Sequence, residues 1–357
     1  MSLSRRQFLR TASAASLALG AAGWLAACGG DDDSDDADDD RAATTTPIDV
    51  QKLSAMMPFT LYLAFISDVA GKTGGYFRKA GIDLDLQFAR SAPQALQQLA
   101  AGNVAVIRNA PLGPVKANAN EGGDFVTIAM ANQTILYVLV SSADEPYGTL
   151  QSLVGKTVGM ATLAGNAEDT LNLVLRAKGI DPESVKRVAV GNEAASLEFI
   201  EQGRVDVVFA TREAAASMVA KGLKPNVAEV PDANPLLGTG IVTTRHNLAT
   251  KRDLLVRYLR GLEDAMVAVR DQTKIDALLA EVRKEWDLPQ LDQPAEAKPV
   301  IKAITDVWVA AGEKNLLRNV PERWASGIAE FERLKVISAG SKPTSFYTNE
   351  LIDEAKG

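Results

Sequence analysis

The fold is decided by two matching stretches, the first of which, residues 81–106, reads GIDLDLQFARSAPQALQQLAAGNVAV. A β-rich run, an amphipathic helical pattern and a second apolar run follow one another there, as in a β-α-β unit. Residues 179–207 read GIDPESVKRVAVGNEAASLEFIEQGRVDV and repeat this order, with the same helix-to-strand spacing around Gly102 and Gly203. In each copy the glycine can end a helix before a buried strand begins. The pair predicts two lobes of similar topology, although any α/β protein contains units of this kind.

The same alternation of short β-rich runs and helical patterns continues through the rest of the chain. Strands are predicted at residues 49–53, 84–88, 104–107, 126–130, 137–141, 157–160, 187–190, 205–209 and 240–244. Helices are predicted at 92–101, 167–177, 194–202 and 213–221, and then in a nearly all-helical tail at 251–271, 274–286, 295–311 and 321–334. This order predicts an α/β fold with mostly parallel sheets.

The composition of the chain excludes several classes of function. Its 357 residues are 46% hydrophobic and 23% charged, as in soluble globular proteins. The formal net charge is −7, but residues 1–41 hold eight Asp and four Arg, and the remainder has 34 basic and 37 acidic residues. Because basic and acidic residues are nearly equal in number after residue 41, we expect no binding to nucleic acid. Because the chain has one Cys and one His, we expect no intramolecular disulfide, no catalytic residue, no metal site and no cofactor.

The N-terminus has the features of an export signal. The Arg5-Arg6 pair precedes a small, apolar stretch at residues 11–27. This pattern is typical of a twin-arginine signal, and the stretch is too short to span a bilayer comfortably. It ends in LAAC at residues 25–28, which resembles the lipobox of bacterial lipoproteins. The resemblance implies a signal peptide at residues 1–27 and a lipid anchor on Cys28.

The segment that follows the signal is rich in Asp, Gly, Ser and Thr. Because like charges repel and these residues supply no core, residues 28–47 are predicted to form an extended tether. A calcium site is the alternative for the Asp run, but no glycine turn and terminal Glu complete a binding loop. For the signal, the alternatives are an ordinary signal peptide with a chance Cys, or a buried amphipathic helix. The predicted location is the cell membrane, with the body facing the periplasm or the cell exterior.

Several sequence stretches after residue 47 resemble the periplasmic binding proteins for sulfonates, nitrate, taurine and the thiamine pyrimidine. They are the stretches 77–84, 95–106, 153–159, 203–207 and 346–351. The resemblance implies a substrate-binding protein of an ABC importer with the two-lobed type II fold, a hinge and a ligand cleft between the lobes. We expect lobe 1 at 48–141 plus 244–357, lobe 2 at 142–243, and a hinge near 141–145 and 243–246. Expected partners are a small-molecule ligand and an ABC permease, and the protein is expected to be a monomer.

Candidate ligand-binding residues follow the predicted strands, because ligands of open α/β sheets lie beyond the carboxyl ends of the strands. Amides among them donate and accept hydrogen bonds without carrying charge, which suits a heteroatom-rich ligand. The candidates are Pro58, Phe59, Tyr62, Ser91, Gln94, Arg108, Asn109, Gln133, Asn166, Asn192, Glu193, Thr211 and Arg212.

Each candidate also has a structural alternative. Phe59 and Tyr62 would stack on a planar ring or belong to the core. Arg108 and Arg212 would clamp an anion, although Arg212 has Glu213 beside it and favours a structural ion pair. The Asn residues would cap turns or helices instead of touching ligand.

These residues predict a non-enzymatic binding protein that closes its lobes on a thiamine-pyrimidine-like or other aromatic molecule. An alkyl sulfonate or nitrate is the alternative ligand. A pyrimidine-synthesis-type enzyme and a ligand sensor are the alternative functions, although the enzyme relies on Cys-rich and His residues that this chain lacks. His246, the one imidazole, is expected at the hinge or a helix cap.

Overall fold

Two five-stranded sheets form the frame of the protein, seen in a computed structural model that describes residues 49–191, 196–230 and 238–357. The predicted signal peptide (1–27), the Cys28 anchor and the tether (28–47) lie outside the described residues. So do the candidate ligand-binding residues Asn192 and Glu193.

Both sheets have the same strand pattern. The first has the order β2-β1-β3-β10-β4, with β1 Gln51–Met57, β2 Ile82–Phe88, β3 Val106–Asn109, β4 Phe125–Asn132 and β10 Thr239–Thr244. The second has the order β7-β6-β8-β5-β9, with β5 Tyr137–Ser141, β6 Thr157–Met160, β7 Lys186–Ala189, β8 Val207–Thr211 and β9 Asn226–Glu229. The two β-α-β stretches of the sequence fall in corresponding places, one in each sheet.

Each sheet is mixed, whereas the sequence pattern predicted mostly parallel pairing. Four strands of each sheet run in the same direction, and the fifth, β10 in the first sheet and β5 in the second, is antiparallel to both of its neighbours. These two strands come directly after the chain passes between the sheets, which happens between β4 and β5 and between β9 and β10.

The chain crosses from one sheet to the other at different residues from the expected lobe boundaries. The expectation placed residues 137–141 in lobe 1 and the chain up to residue 243 in lobe 2. In the structure β5 pairs with β8 and β9 of the second sheet, and β10 pairs with β3 and β4 of the first. The chain therefore passes between the sheets at 133–136 and again before Thr239, not at the expected hinge residues. Local sequence does not reveal this, because an apolar strand suits either sheet.

Helices cover the faces of both sheets. They are α1 Ile66–Thr73, α2 Tyr76–Lys79, α3 Ala92–Ala100, α4 Leu112–Glu121, α5 Asn166–Ala177, α6 Ser196–Glu201, α7 Arg212–Ala220, α8 Arg245–Thr250, α9 Arg252–Arg270, α10 Ile275–Glu285, α11 Pro294–Trp308, α12 Pro321–Arg333 and α13 Glu350–Lys356. The sequence pattern missed α1, α2, α4, α8, α13 and strand β9. Side-chain oxygens cap the start of α3, which begins at the predicted residue, and of α7, which begins one residue earlier than predicted: Ser91 accepts from the Gln94 amide, and Thr211 accepts from the Ala214 amide. No helix in the described ranges is long and apolar enough to cross a membrane.

The helical tail packs on both sheets. The buried face of α9, including Leu259 and Met266, joins the core of the first sheet. Helix α12 instead contributes Trp324 and Phe331 to the apolar cluster of the second sheet. Helix α11 lies against α7, which belongs to the second sheet. The tail therefore bridges the two sheets, where the sequence placed it in lobe 1 alone.

Candidate functional site

A cleft lies between the carboxyl ends of strands from both sheets. Its larger cavity has a volume of about 440 Å³. Most of its lining residues lie at or just after the ends of β1, β2, β6, β7 and β8, and the others come from the start of β5, from α5 and from the tail. The lining residues are Phe59, Thr60, Leu61, Tyr62, Arg90, Tyr137, Ala161, Thr162, Ala167, Gly191, Thr211, Pro289 and Gln290. A smaller cavity of about 40 Å³ shares Phe59, Tyr62, Tyr137 and Thr211 with it and reaches deeper, to Arg108 and Asn132. These two cavities together are called the cleft below.

Aromatic rings from both sheets line this cleft. Tyr62, just after β1, packs edge-on against Phe65 with 4.9 Å between ring centroids. Tyr137, the first residue of β5, stacks on Phe209 at 4.8 Å. Burial raises the pKa of both tyrosines, so the hydroxyls stay neutral and can donate a hydrogen bond. The cleft therefore combines flat apolar surfaces with hydroxyl groups.

Arg108 lies at the floor of the cleft with its charge already paired. Its side chain is 2% exposed, and its Nη1 lies 3.1 Å from Oδ2 of Asp68, which is fully buried. The guanidinium also donates to Oδ1 of Asn132 at 2.9 Å and to Oγ1 of Thr239 at 3.3 Å. Asn132 ends β4 and Thr239 begins β10, so Arg108 joins the two points at which the chain leaves and re-enters the first sheet.

Asp68 is satisfied as fully as its partner. It accepts from the hydroxyl of Ser67 at 2.9 Å and from that of Tyr258 at 3.3 Å. A buried ion pair of this kind keeps its charges only because each is paired and hydrogen-bonded. Arg108 consequently offers little positive charge to a ligand.

Glu213 is a buried acidic residue in the same region. It lies in the first turn of α7, is 8% exposed, and lines the smaller cavity. Burial raises the pKa of its carboxyl, opposed by hydrogen bonds from its own amide and from the Thr211 hydroxyl and by the charges of Arg108 and Arg212. The pairing expected between Arg212 and Glu213 is not formed; Arg212 instead binds Glu229, with Nη1 2.6 Å from Oε1.

The described residues outside this cleft add no metal site. No group of three or more His, Cys, Asp or Glu among them could hold a metal ion. His246 lies on the exposed surface of α8, and its backbone amide donates to Asp124. It does not line either cavity of the cleft.

Comparison with known families identifies the chain. The family described as NMT1/THI5 like matches residues 64–273, more than half of the protein. The chain belongs to this family. No curated protein matches the sequence.

Solved structures with the same fold include two binding proteins and one enzyme. The alkanesulfonate-binding protein SsuA from Xanthomonas axonopodis pv. citri, bound to MOPS, is 13% identical, with a TM-score of 0.60 over 83% of this chain and 98% of that one. The nitrate-binding protein NrtA from Synechocystis PCC 6803 is 12% identical, with a TM-score of 0.59 over 86% and 88%. The desulfurization enzyme DszB is 12% identical, with a TM-score of 0.54 over 85% and 99%. These similarities confirm the predicted two-lobed fold.

Six of the predicted site residues of this NMT1/THI5-like protein meet at the smaller cavity: Pro58, Phe59, Tyr62, Arg108, Asn166 and Thr211. Ser91 and Gln94 are not among the lining residues. They cap the start of α3, where Ser91 accepts from the Gln94 amide and the Gln94 side chain accepts from the Arg90 amide.

Three other candidates point elsewhere. Asn109 is buried and donates to the Ala92 carbonyl, and Gln133 donates to the carbonyls of Met130, Asn315 and Arg318. Arg212 lines a separate groove of about 550 Å³ between α7 and α11. These side chains are held by the fold and do not line the cleft.

Sequence reasoning missed several residues that line the cleft or the adjoining space. They are Tyr137, Glu213, Gln290, Ile304 and Val307. Glu213 carried one usable signal, since it follows the end of a predicted strand. The tail residues carried none, because an apolar position on a helix does not reveal which sheet the helix covers.

Proposed function

We propose that this protein is the extracytoplasmic solute-binding component of an ABC importer and captures a small, heteroatom-rich aromatic molecule by closing its two lobes. The observation that carries the proposal is the cavity of about 440 Å³ lined from both sheets. Its volume falls within the roughly 300–1,000 Å³ of small-molecule sites. A ligand that touches both lobes stabilises the closed form, because only differential contacts shift such an equilibrium.

A thiamine-pyrimidine-like ring is the ligand that the lining supports best. Tyr62 and Tyr137 offer ring faces and neutral hydroxyls, and Thr162 and Gln290 add polar groups at the larger cavity. An alkyl sulfonate or nitrate is the second candidate, which the likeness to SsuA and NrtA favours. The pairing of Arg108 with Asp68 weighs against an anion.

An enzymatic role receives less support from the chain. The pyrimidine-synthesis-type enzyme relies on Cys-rich and His residues, whereas this chain has one Cys and one His. The likeness to DszB concerns the fold alone, because function resides in the site and not in the fold. A sensor that passes its closed form to a membrane receptor would use the same cleft and differs only in its partner.

The remaining parts of the proposal concern location and assembly. We place the protein outside the cytoplasm, held at the membrane by a lipid on Cys28 after cleavage of residues 1–27, with residues 28–47 as the tether. The monomer is the proposed binding unit, because residues of one chain line the cleft from both sides.

A ligand panel tests the proposed function. The melting temperature of the purified protein is measured with aminopyrimidines, aromatic amines and acids, alkyl sulfonates and nitrate. A ligand at about a hundredfold its Kd adds about 2.7 kcal/mol to the free energy of unfolding, which raises the melting temperature measurably. The hit is then added during small-angle scattering, where closure lowers the radius of gyration. If no compound in the panel raises the melting temperature, the proposed function is wrong.

A further inference from the structure

Gln290 presents an unsatisfied hydrogen-bond acceptor at the cleft. Its side-chain Oε1 is buried and has no hydrogen-bond partner among the described residues. The residue lines both the cavity of about 440 Å³ and an adjoining cavity of about 120 Å³. A buried acceptor that has lost its water costs free energy until a donor reaches it. Because Gln290 lies at the junction of two cavities, there is space for that donor to belong to a ligand.

The backbone around Gln290 holds this side chain in place. The residue lies in a single turn of 3-10 helix, Pro289–Leu291, between α10 and α11. Leu288 and Leu291 on either side are 4% and 2% exposed and belong to the apolar core of the first sheet. The Leu291 amide donates to the Leu288 carbonyl at 2.9 Å, which closes the turn. Because the turn is anchored in the core, little order has to be gained when a ligand binds to the side chain of Gln290.

Gln290 also differs chemically from the other polar groups of the larger cavity. It is the only side-chain amide among the described residues that line this cavity, where the other polar side chains are hydroxyls and the guanidinium of Arg90. A hydroxyl can turn to suit either a donor or an acceptor, and a guanidinium can only donate. A primary amide instead holds one acceptor and one donor group side by side. The amide can therefore distinguish ligands by the pattern of polar atoms along one edge.

We propose that Gln290 is a specificity-determining residue of the cleft, and that its side-chain amide binds a ligand edge on which an N–H donor lies beside an acceptor. The ligand class is a carboxamide, a lactam or an amino-substituted azine. Gln and Asn amides bind the adjacent amino group and ring nitrogen of adenine through the same pair of hydrogen bonds. This inference rests on the proposed function and names the contact by which the helical tail selects the ligand.

The same contact disfavours ligands that carry only half of this edge. A ligand without the donor leaves Oε1 of Gln290 unpaired, and a ligand without the acceptor leaves Nε2 unpaired. A site that hydrogen-bonds one group of its ligand rejects analogues that lack the group, because its own buried polar atoms then have no partner.

Three uncharged aromatic rings of similar size test the inference. 2-Aminopyrimidine has the donor beside the acceptor, pyrimidine has the acceptor alone, and aniline has the donor alone. Ligand-observed NMR titration of the purified protein measures the three Kd values, and 2-aminopyrimidine is expected to bind about tenfold or more tightly than the other two. Gln290→Met removes both hydrogen-bonding groups at similar volume and is expected to reduce that preference to about threefold or less.

Melting temperatures of the same proteins distinguish a ligand contact from a structural one. Because Oε1 of Gln290 has no partner among the described residues, Gln290→Met should leave the melting temperature of the unligated protein unchanged or raise it. A lowered melting temperature would show that the fold itself uses this side chain, and would overturn the inference. The control is Gln97→Met, at an exposed position on α3, which should leave the three Kd values unchanged.

The outcomes separate the two proposals. Equal binding of the three rings, or a preference that Gln290→Met leaves unchanged, overturns this inference and leaves the proposed function standing; a water molecule bound at Oε1 would give that result. A ligand found in the wider panel has the same consequence if 2-aminopyrimidine does not bind. If neither the three rings nor the wider panel bind, the proposed function falls, and the inference falls with it.

Discussion

Removing Asp68 should destabilise the protein more than removing any surface carboxylate. Asp68 and Arg108 are 0% and 2% exposed, and water cannot replace either partner. In an Asp68→Ala variant the guanidinium loses its counter-charge, and the hydroxyls of Ser67 and Tyr258 lose their acceptor. Breaking a buried ion pair by deleting one partner costs about 3–5 kcal/mol.

The expected loss of unfolding free energy in Asp68→Ala comes mainly from the unpaired guanidinium of Arg108 that stays buried, and not from the lost ion-pair contact itself. Replacing both partners removes the unpaired charge, so Asp68→Ala combined with Arg108→Met should cost less than the sum of the two single variants. For residues in contact, coupling free energies reach about 0.5–3 kcal/mol, and we expect a value near the top of that range.

Urea unfolding followed by circular dichroism measures all four proteins of this double-mutant cycle. The matched control is Asp306→Ala on α11, whose partner Lys302 is 74% exposed and whose own side chain is 60% exposed. Because exposed i,i+4 pairs contribute about 0.3–0.5 kcal/mol, the control should barely change the midpoint. A loss of less than about 1 kcal/mol in Asp68→Ala, or two single variants whose losses add without coupling, would show that the ion pair does not stabilise the fold in this way.

Three further predictions concern packing, pH and location. Gly261→Ala in α9 would place a Cβ 2.8 Å from Cδ1 and 2.9 Å from Cα of Phe77, so we expect a loss of about 1–3 kcal/mol in unfolding free energy. Gly113→Ala in α4, where the nearest atom lies 3.8 Å away, is the control and should not destabilise. Burial raises the pKa of Glu213, so the folded protein holds this proton more tightly than the unfolded chain does. As pH rises from the pKa of this carboxyl in the unfolded chain through its pKa in the folded protein, the unligated protein should therefore lose stability relative to Glu213→Gln. A difference in unfolding free energy between the two proteins that does not vary with pH in urea titrations would contradict this. Cys28→Ser should move the protein from the membrane fraction to the soluble extract, and retention in the membrane would refute the anchor.

Most of the secondary structure could be predicted from the sequence, because it depends on the pattern of apolar and polar residues that are close along the chain. The strand at 137–141 and the strand at 157–160 were predicted at their observed bounds, and α5 differs by one residue at its start. Strand β9 was missed because its four residues, NVAE, alternate only briefly. Helix α4 was missed because the stretch LGPVKANANE has few apolar positions and contains a proline near its start.

Only some of the residues that line the cleft could be predicted from the sequence. The predicted ends of β1, β3 and β8, at residues 53, 107 and 209, fall two to four residues before the observed ends at 57, 109 and 211. Tyr62, Arg108 and Thr211 nevertheless line the cavity, because they lie near those ends. Asn109 and Gln133 follow strands in the same way, yet their side chains bind backbone carbonyls within the fold. Position after a strand fixes where a residue lies, whereas the direction of its side chain depends on which neighbours it meets.

The α/β alternation, the two matching units, the balanced charge of residues 42–357 and the export pattern at the N-terminus could all be predicted from the amino-acid sequence, since each depends on residues that are neighbours along the chain. Three features depend on the folded structure: which sheet β5 and β10 join, how the helical tail bridges both sheets, and which charged side chains form ion pairs. Asp68 lies 40 residues before Arg108, and Glu229 lies 17 residues after Arg212. Such pairings arise only when the folded chain brings distant side chains together.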